Sequence, residues 1–182
     1  MARRRLRRLL AVILAIQGVH LFEHVVQLVQ VYAWHRPESR QLGLLGDALQ
    51  FHGTAEWLHL GFNIALLTGI LWIAPDVRAI VEDRRRVLAF LVLACGVETW
   101  HVIEHMAVTG NMLANGGGCP CPGILDRFVP EKILHFSYNA LAFSGLAAVA
   151  TPVIRRRRAV DPIAIPEPAW LAGHASPRSI AS

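Results

Sequence analysis

Four apolar stretches divide this chain, and three arginine runs mark their boundaries: Arg3–Arg8, Arg84–Arg86 and Arg155–Arg158. A helix needs about 20 mostly apolar residues to cross a bilayer. The stretches meet that length from about Leu9 to Tyr32, about Ala55 to Ala74, about Val87 to Val108 and about Glu131 to Ile154. Four crossings leave both termini on one side, and all three arginine runs then fall on that side. The positive-inside rule makes it the cytoplasm. The expected class is an all-α integral protein of the cell membrane, with four transmembrane helices and cytoplasmic N- and C-termini.

Composition agrees with this. Hydrophobic residues make up 54% of the 182 and charged residues 17%, whereas soluble domains carry about 25% charged residues. The net charge of +5 is concentrated at the ends of apolar segments and not spread over a face. That excludes a nucleic-acid partner and leaves the lipid bilayer as the first one, with a homodimer or a membrane-complex subunit as the further class. The first stretch is too long for a signal peptide. It lacks a small-residue cleavage site and contains His20, Glu23 and His24, so it is read as an uncleaved helix.

The chain then divides into a basic cytoplasmic N-terminus (1–8), a first hairpin (9–74), a basic cytoplasmic loop (75–86), a second hairpin (87–154) and a Pro/Ala/Ser-rich, disordered cytoplasmic tail (155–182). Pro75 and Asp76 are expected to stop the second span and Gly110 the third. Between the third and fourth spans lies a turn-rich loop containing Cys119 and Cys121.

The two hairpins share motifs. His20-Leu-Phe-Glu23-His24 in span one matches His101-Val-Ile-Glu104-His105 in span three, 81 residues on. His59 and Asn63, followed by Thr68-Gly69, match His135 and Asn139, followed by Ser144-Gly145, 76 residues on. Spacing within each motif is kept while the loops differ, which reads as two fused copies of one helical hairpin. Spans one and three run the same way, so the copies are parallel and their pseudo-twofold axis lies along the membrane normal.

Ionisable residues inside a span are costly and face the bundle interior. Counted at about 1.5 Å per residue from the basic boundary, the repeated polar groups lie roughly 18 to 30 Å up. That is the outer half of a hydrocarbon core about 30 Å thick. Three-four spacing sets them in stripes: Gln17, His20, His24 and Gln27; His52, Glu56, His59 and Asn63; Glu98, His101 and His105; Glu131, His135, Tyr138 and Asn139.

Histidines four apart on a helix can grip one ion. Six of them, with a glutamate beside each pair, suggest a dinuclear transition-metal centre. The expected ligands are His20, Glu23, His24, His59, His101, Glu104, His105 and His135. Glu23 and Glu104 are also candidate catalytic residues, as bridges or bases. Iron and zinc are the first candidates and copper the next.

The motif His-x-x-Glu-His resembles that of inverted zinc peptidases, in which the glutamate is the general base. The histidine pairs are similar to those of membrane di-iron hydroxylases and desaturases, which carry them on the cytoplasmic side. Both resemblances stop at these few residues. The expected function is a membrane metalloprotein, an oxidoreductase acting on a lipid-soluble or small substrate. A metal-ion or proton transporter is the alternative, and a b-type haem electron carrier the second alternative.

Overall fold

The computed structural model describes residues 2–36, 43–49, 55–116 and 122–155. His52, Cys119, Cys121 and the tail beyond 155 lie outside them. The described residues are helical with no strand: α1 (Ala2–Leu28), α2 (Gly43–Leu49), α3 (Ala55–Ile80), α4 (Arg84–Ala89), α5 (Val97–Ala114) and α6 (Glu131–Arg155). Two π-helical stretches adjoin them, Val29–Ala33 after α1 and Phe90–Gly96 between α4 and α5. Because that second stretch is continuous with its neighbours, α4 and α5 make one long rod. Four helices are long and apolar enough to cross a membrane: Arg3–Ala33, Trp57–Ile80, Arg84–Ala114 and Glu131–Ile154.

The rods overrun several expected boundaries. The second continues through Pro75 to Ile80. Proline lacks one hydrogen bond, but in an apolar helix neighbouring groups and small adjustments absorb that loss. The third begins at Arg84 and runs past Gly110 to Ala114, so glycine there is carried as an ordinary helical residue. The basic loop therefore shrinks to a turn at Val81–Asp83. Asp83 caps the next helix by accepting from the amides of Arg85 and Arg86 at 3.0 and 3.4 Å. The Arg86 side chain adds an ion pair to Asp83 at 3.1 Å and reaches the Ala148 carbonyl at 3.3 Å.

Apolar side chains face both ways. Val12, Ile16, Val19, Leu71, Trp72, Val92 and Leu141 are exposed on the outside of the bundle, where a bilayer would cover them. Inside, Leu6, Leu10, Ile70, Ile73, Val77, Phe90, Leu146 and Val149 form a closed core toward the arginine-bearing end. Lipid tails are as apolar as such a core, so close packing and not water exclusion holds it together. At Gly145 a methyl group would stand 2.7 Å from the Ala94 backbone nitrogen and 3.0 Å from Leu93 Cβ. Glycine there lets α6 lie directly on the Phe90–Gly96 segment. Thr68 and Ser144, beside the paired glycines, return their hydroxyls to the carbonyls of Ile64 and Ala140 at 2.8 and 2.7 Å. Their polarity is satisfied within their own helices.

Candidate metal centre

Above the apolar core the interior turns polar. Gln17, His24, Gln27, Asn63, Glu98, His101, Glu104, His105, His135 and Asn139 are all buried. The helical stripes account for this: α1 contributes His20 and His24, α3 His59, α5 His101 and His105, and α6 His135. All six rings lie in one connected layer. Within each pair four apart, the two Nε2 atoms face one another, at 3.3 Å for His20 and His24 and 3.2 Å for His101 and His105. Two imidazole nitrogens on one ion, each about 2.0–2.1 Å from it, are separated by about 2.8–3.4 Å across octahedral to tetrahedral angles. Both pairs therefore have the bite of a chelate.

His135 completes the more compact group. Its ring stacks on His105 at 4.8 Å and lies 5.3 Å from His101. Ligand atoms of His101, His105 and His135 all fall within 4.8 Å of one another, and the three residues are buried. These three could hold a metal ion. A second group, His20, His24 and His59, is wider, with ring centres of His20 and His24 at 5.9 and 6.0 Å from His59. Cross-contacts join the groups: His24 stacks on His135 at 6.0 Å and His59 on His105 at 5.7 Å.

Behind the rings stand acceptors. His24 Nδ1 is 2.8 Å from Gln27 Oε1, His101 Nδ1 is 3.5 Å from Glu98 Oε2, and His135 Nδ1 is 3.7 Å from Glu131 Oε1. The Gln27 acceptor at Nδ1 fixes the His24 tautomer that leaves Nε2 as a ligand, while the Glu98 and Glu131 carboxylates stand near His101 and His135 at longer range. Glu98, Gln27 and Glu131 share the helical stripes of their histidines, so three-four spacing was the available signal for these supporting roles.

The motif glutamates have partners that spacing does not suggest. Glu23 Oε2 accepts the backbone N–H groups of Leu44 and Leu45, at 2.7 and 3.1 Å. Glu104 Oε1 accepts those of Leu125 and Asp126, at 2.6 and 3.3 Å. Each carboxylate thus holds the amides 21 and 22 residues downstream, at the start of α2 for Glu23 and in the turn before α6 for Glu104. A glycine makes room in both cases. A side chain at Gly43, whose φ is +80°, or at Gly123 would run into the Glu23 or Glu104 carboxylate respectively. No step of the sequence pattern connects a helical glutamate to loop amides that far away.

Gln17 ties α1 to α6, donating to Asn139 Oδ1 at 2.8 Å, while the Asn139 amide donates to the His135 carbonyl at 2.9 Å. Asn63 on α3 is wholly buried with neither side-chain polar atom hydrogen-bonded. The side chain of Glu56 lies outside the described set.

Fold and site together define a class: a helical bundle able to cross a membrane, with a buried histidine cluster that could bind metal. Compared with protein-family models, with curated proteins and with solved structures, the chain matches none.

Proposed function

We propose that this is an integral protein of the cell membrane carrying a dinuclear transition-metal centre, and that it works as an oxidoreductase on a lipid-soluble or small substrate. One observation carries the reading: two histidine pairs with Nε2 atoms 3.3 and 3.2 Å apart, in one layer, each next to a further histidine. His101, His105 and His135 hold one ion, and His20, His24 and His59 the other. Three protein ligands per ion leave coordination positions open, as catalytic sites do. Imidazole donors suit iron, zinc and copper. Glu23 and Glu104 enter this scheme as latches on the segments that follow their helices, and Gln27 as the group that orients the His24 ring.

The centre sits within two fused hairpin copies, with the termini and arginine runs in the cytoplasm and the histidine layer toward the outside. Three features support the duplication besides the motifs. Both motif glutamates reach amides at the same two offsets, both cross-contacts pair a first-copy ring with a second-copy ring, and Phe62 and Tyr138 stand alike against His20 and His101, at 4.4 and 5.0 Å.

Transport fits less well, because the buried core toward the arginine-bearing end is built from apolar residues between Leu6 and Val153. Haem fits less well because neighbouring ring centres are only 4.7 to 6.0 Å apart, leaving no slab for a macrocycle between them. Metal content and the visible spectrum of the purified protein test this. About two ions per chain without a Soret band is the expected result. A Soret band, or cation flux through liposomes by a metal-free protein, would overturn it.

A further inference from the structure

Two apolar clefts open on the outside of the bundle at matching places in the two hairpins. The first is about 410 Å³, lined by Ala15, Ile16, Val19, Leu45 and Phe62, with His20 and Glu23 as its polar groups. The second, about 490 Å³, is lined by Gly96, Val97, Trp100 and Tyr138 with Leu91, Val92 and Leu141. In the aligned motifs Ala15, Ile16, Val19 and Phe62 correspond to Gly96, Val97, Trp100 and Tyr138. The clefts are therefore the same place built twice, and they end differently.

In the second, Trp100 stands where the first has valine, and its indole N–H donates to the Tyr138 hydroxyl at 3.0 Å. Tyr138 lies against His101, which is wholly buried. In the first, Val19 is too short to reach across, Phe62 offers no hydroxyl to tie down, and His20 is only partly buried and lines the cleft wall. Leu45 roofs this cleft, held there by its own amide on Glu23.

We propose that the first cleft is the substrate entrance: an uncharged, lipid-dissolved molecule moves sideways from the bilayer between α1 and α3 and meets the centre at His20. The second cleft opens to the bilayer as well, but the hydrogen-bonded Trp100–Tyr138 pair shuts it off from His101. The proposal rests on the metal-centre reading for what happens at His20, but the route itself belongs to the protein fold. A volume of about 410 Å³ lies within the roughly 300–1,000 Å³ typical of small-molecule pockets. The walls are aliphatic and aromatic, which selects a molecule with an apolar body. The specificity-determining positions are Val19 and Phe62.

The test uses the full-length, metal-free protein in lipid nanodiscs and diethyl pyrocarbonate, a small uncharged imidazole reagent, with labelling of each histidine followed by peptide mass spectrometry. His20 is expected to label faster than His101. The double variant V19W/F62Y, which copies the plug of the second cleft into the first, removes that difference. The reciprocal W100V speeds labelling of His101 and keeps the test decisive if the double variant does not fold. Equal labelling of His20 and His101 in the wild type, or a His20 rate untouched by V19W/F62Y in a folded protein, would overturn the entrance. Metal content is measured separately on the same preparations. A protein that binds no metal but shows this labelling pattern sinks the metal centre and upholds the route.

Discussion

Replacing Glu104 by alanine removes the group on which one loop rests. Its Oε1 accepts the Leu125 amide at 2.6 Å and the Asp126 amide at 3.3 Å, and the residue is wholly buried. Hydrogen bonds to a charged acceptor contribute about 1.5–3 kcal/mol each. Counting the short bond in full and the long one weakly, the loop loses about 2–4 kcal/mol of its closed-state stability. Every 1.4 kcal/mol is tenfold in an equilibrium, so local opening rises roughly 30- to 700-fold. Amide hydrogen exchange in nanodiscs reads this directly at Leu125 and Asp126, while core amides of α6 such as Leu146 keep their rates. Glu104→Gln retains a neutral acceptor and falls between wild type and Glu104→Ala. Unchanged exchange at both loop amides in Glu104→Ala would refute the latch. Acceleration spread evenly over all helices would show a global role instead.

Other perturbations have equally definite outcomes. Gly145→Ala forces a methyl group against the Ala94 backbone and lowers stability by about 1–3 kcal/mol through overpacking; Gly61→Ala, where nothing lies within 4 Å, leaves it unchanged or raises it by up to about 1 kcal/mol. Thermal unfolding in detergent separates the two, and equal melting temperatures would contradict the close approach. Gln17→Leu breaks the tie to Asn139 and costs about 1 kcal/mol, the usual size of such a bond in a bilayer. A Gln17→Leu/Asn139→Leu double mutant that loses the sum of the two single effects would show that the pair is not coupled. Gly43→Ala meets both the positive φ and the Glu23 carboxylate, so it speeds exchange at Leu44 and Leu45 much as Glu23→Ala does. Slower exchange would count against the shared cradle.

The helical class was legible because a spanning helix writes itself as a continuous apolar run, and each of the four runs appears as a rod. Helix ends were less legible. Pro75 and Gly110 are breakers by local propensity, but a long apolar helix tolerates the one bond lost at Pro75 and extends past both residues. The histidine layer could be read because His20 and His24, or His101 and His105, are four apart and a helix puts such residues on one face. Counting by halves gives each pair one further histidine, and His135 does join His101 and His105; the distance between them is set by contacts between α5 and α6, which nothing in one helix specifies. Glutamate was the hardest residue type to assign. Glu23 and Glu104 sit beside histidines in sequence yet bond to loop amides, while Glu98, set apart from the motif, stands behind His101. Glu98 and Glu104 are each three residues from His101, one on either side, so helical spacing alone does not say which of them backs the ring.

The central claim is that six histidines hold two metal ions, and metal stoichiometry tests it most directly. Purified protein, reconstituted in turn with iron, zinc and copper and freed of loosely bound ions, is measured by elemental mass spectrometry. The wild type should retain two ions per chain of at least one of these metals. The double variants His20→Ala/His24→Ala and His101→Ala/His105→Ala should each retain one, and the four-histidine combination none. A wild type that retains no ion, or double variants that keep the full wild-type content, would contradict the account.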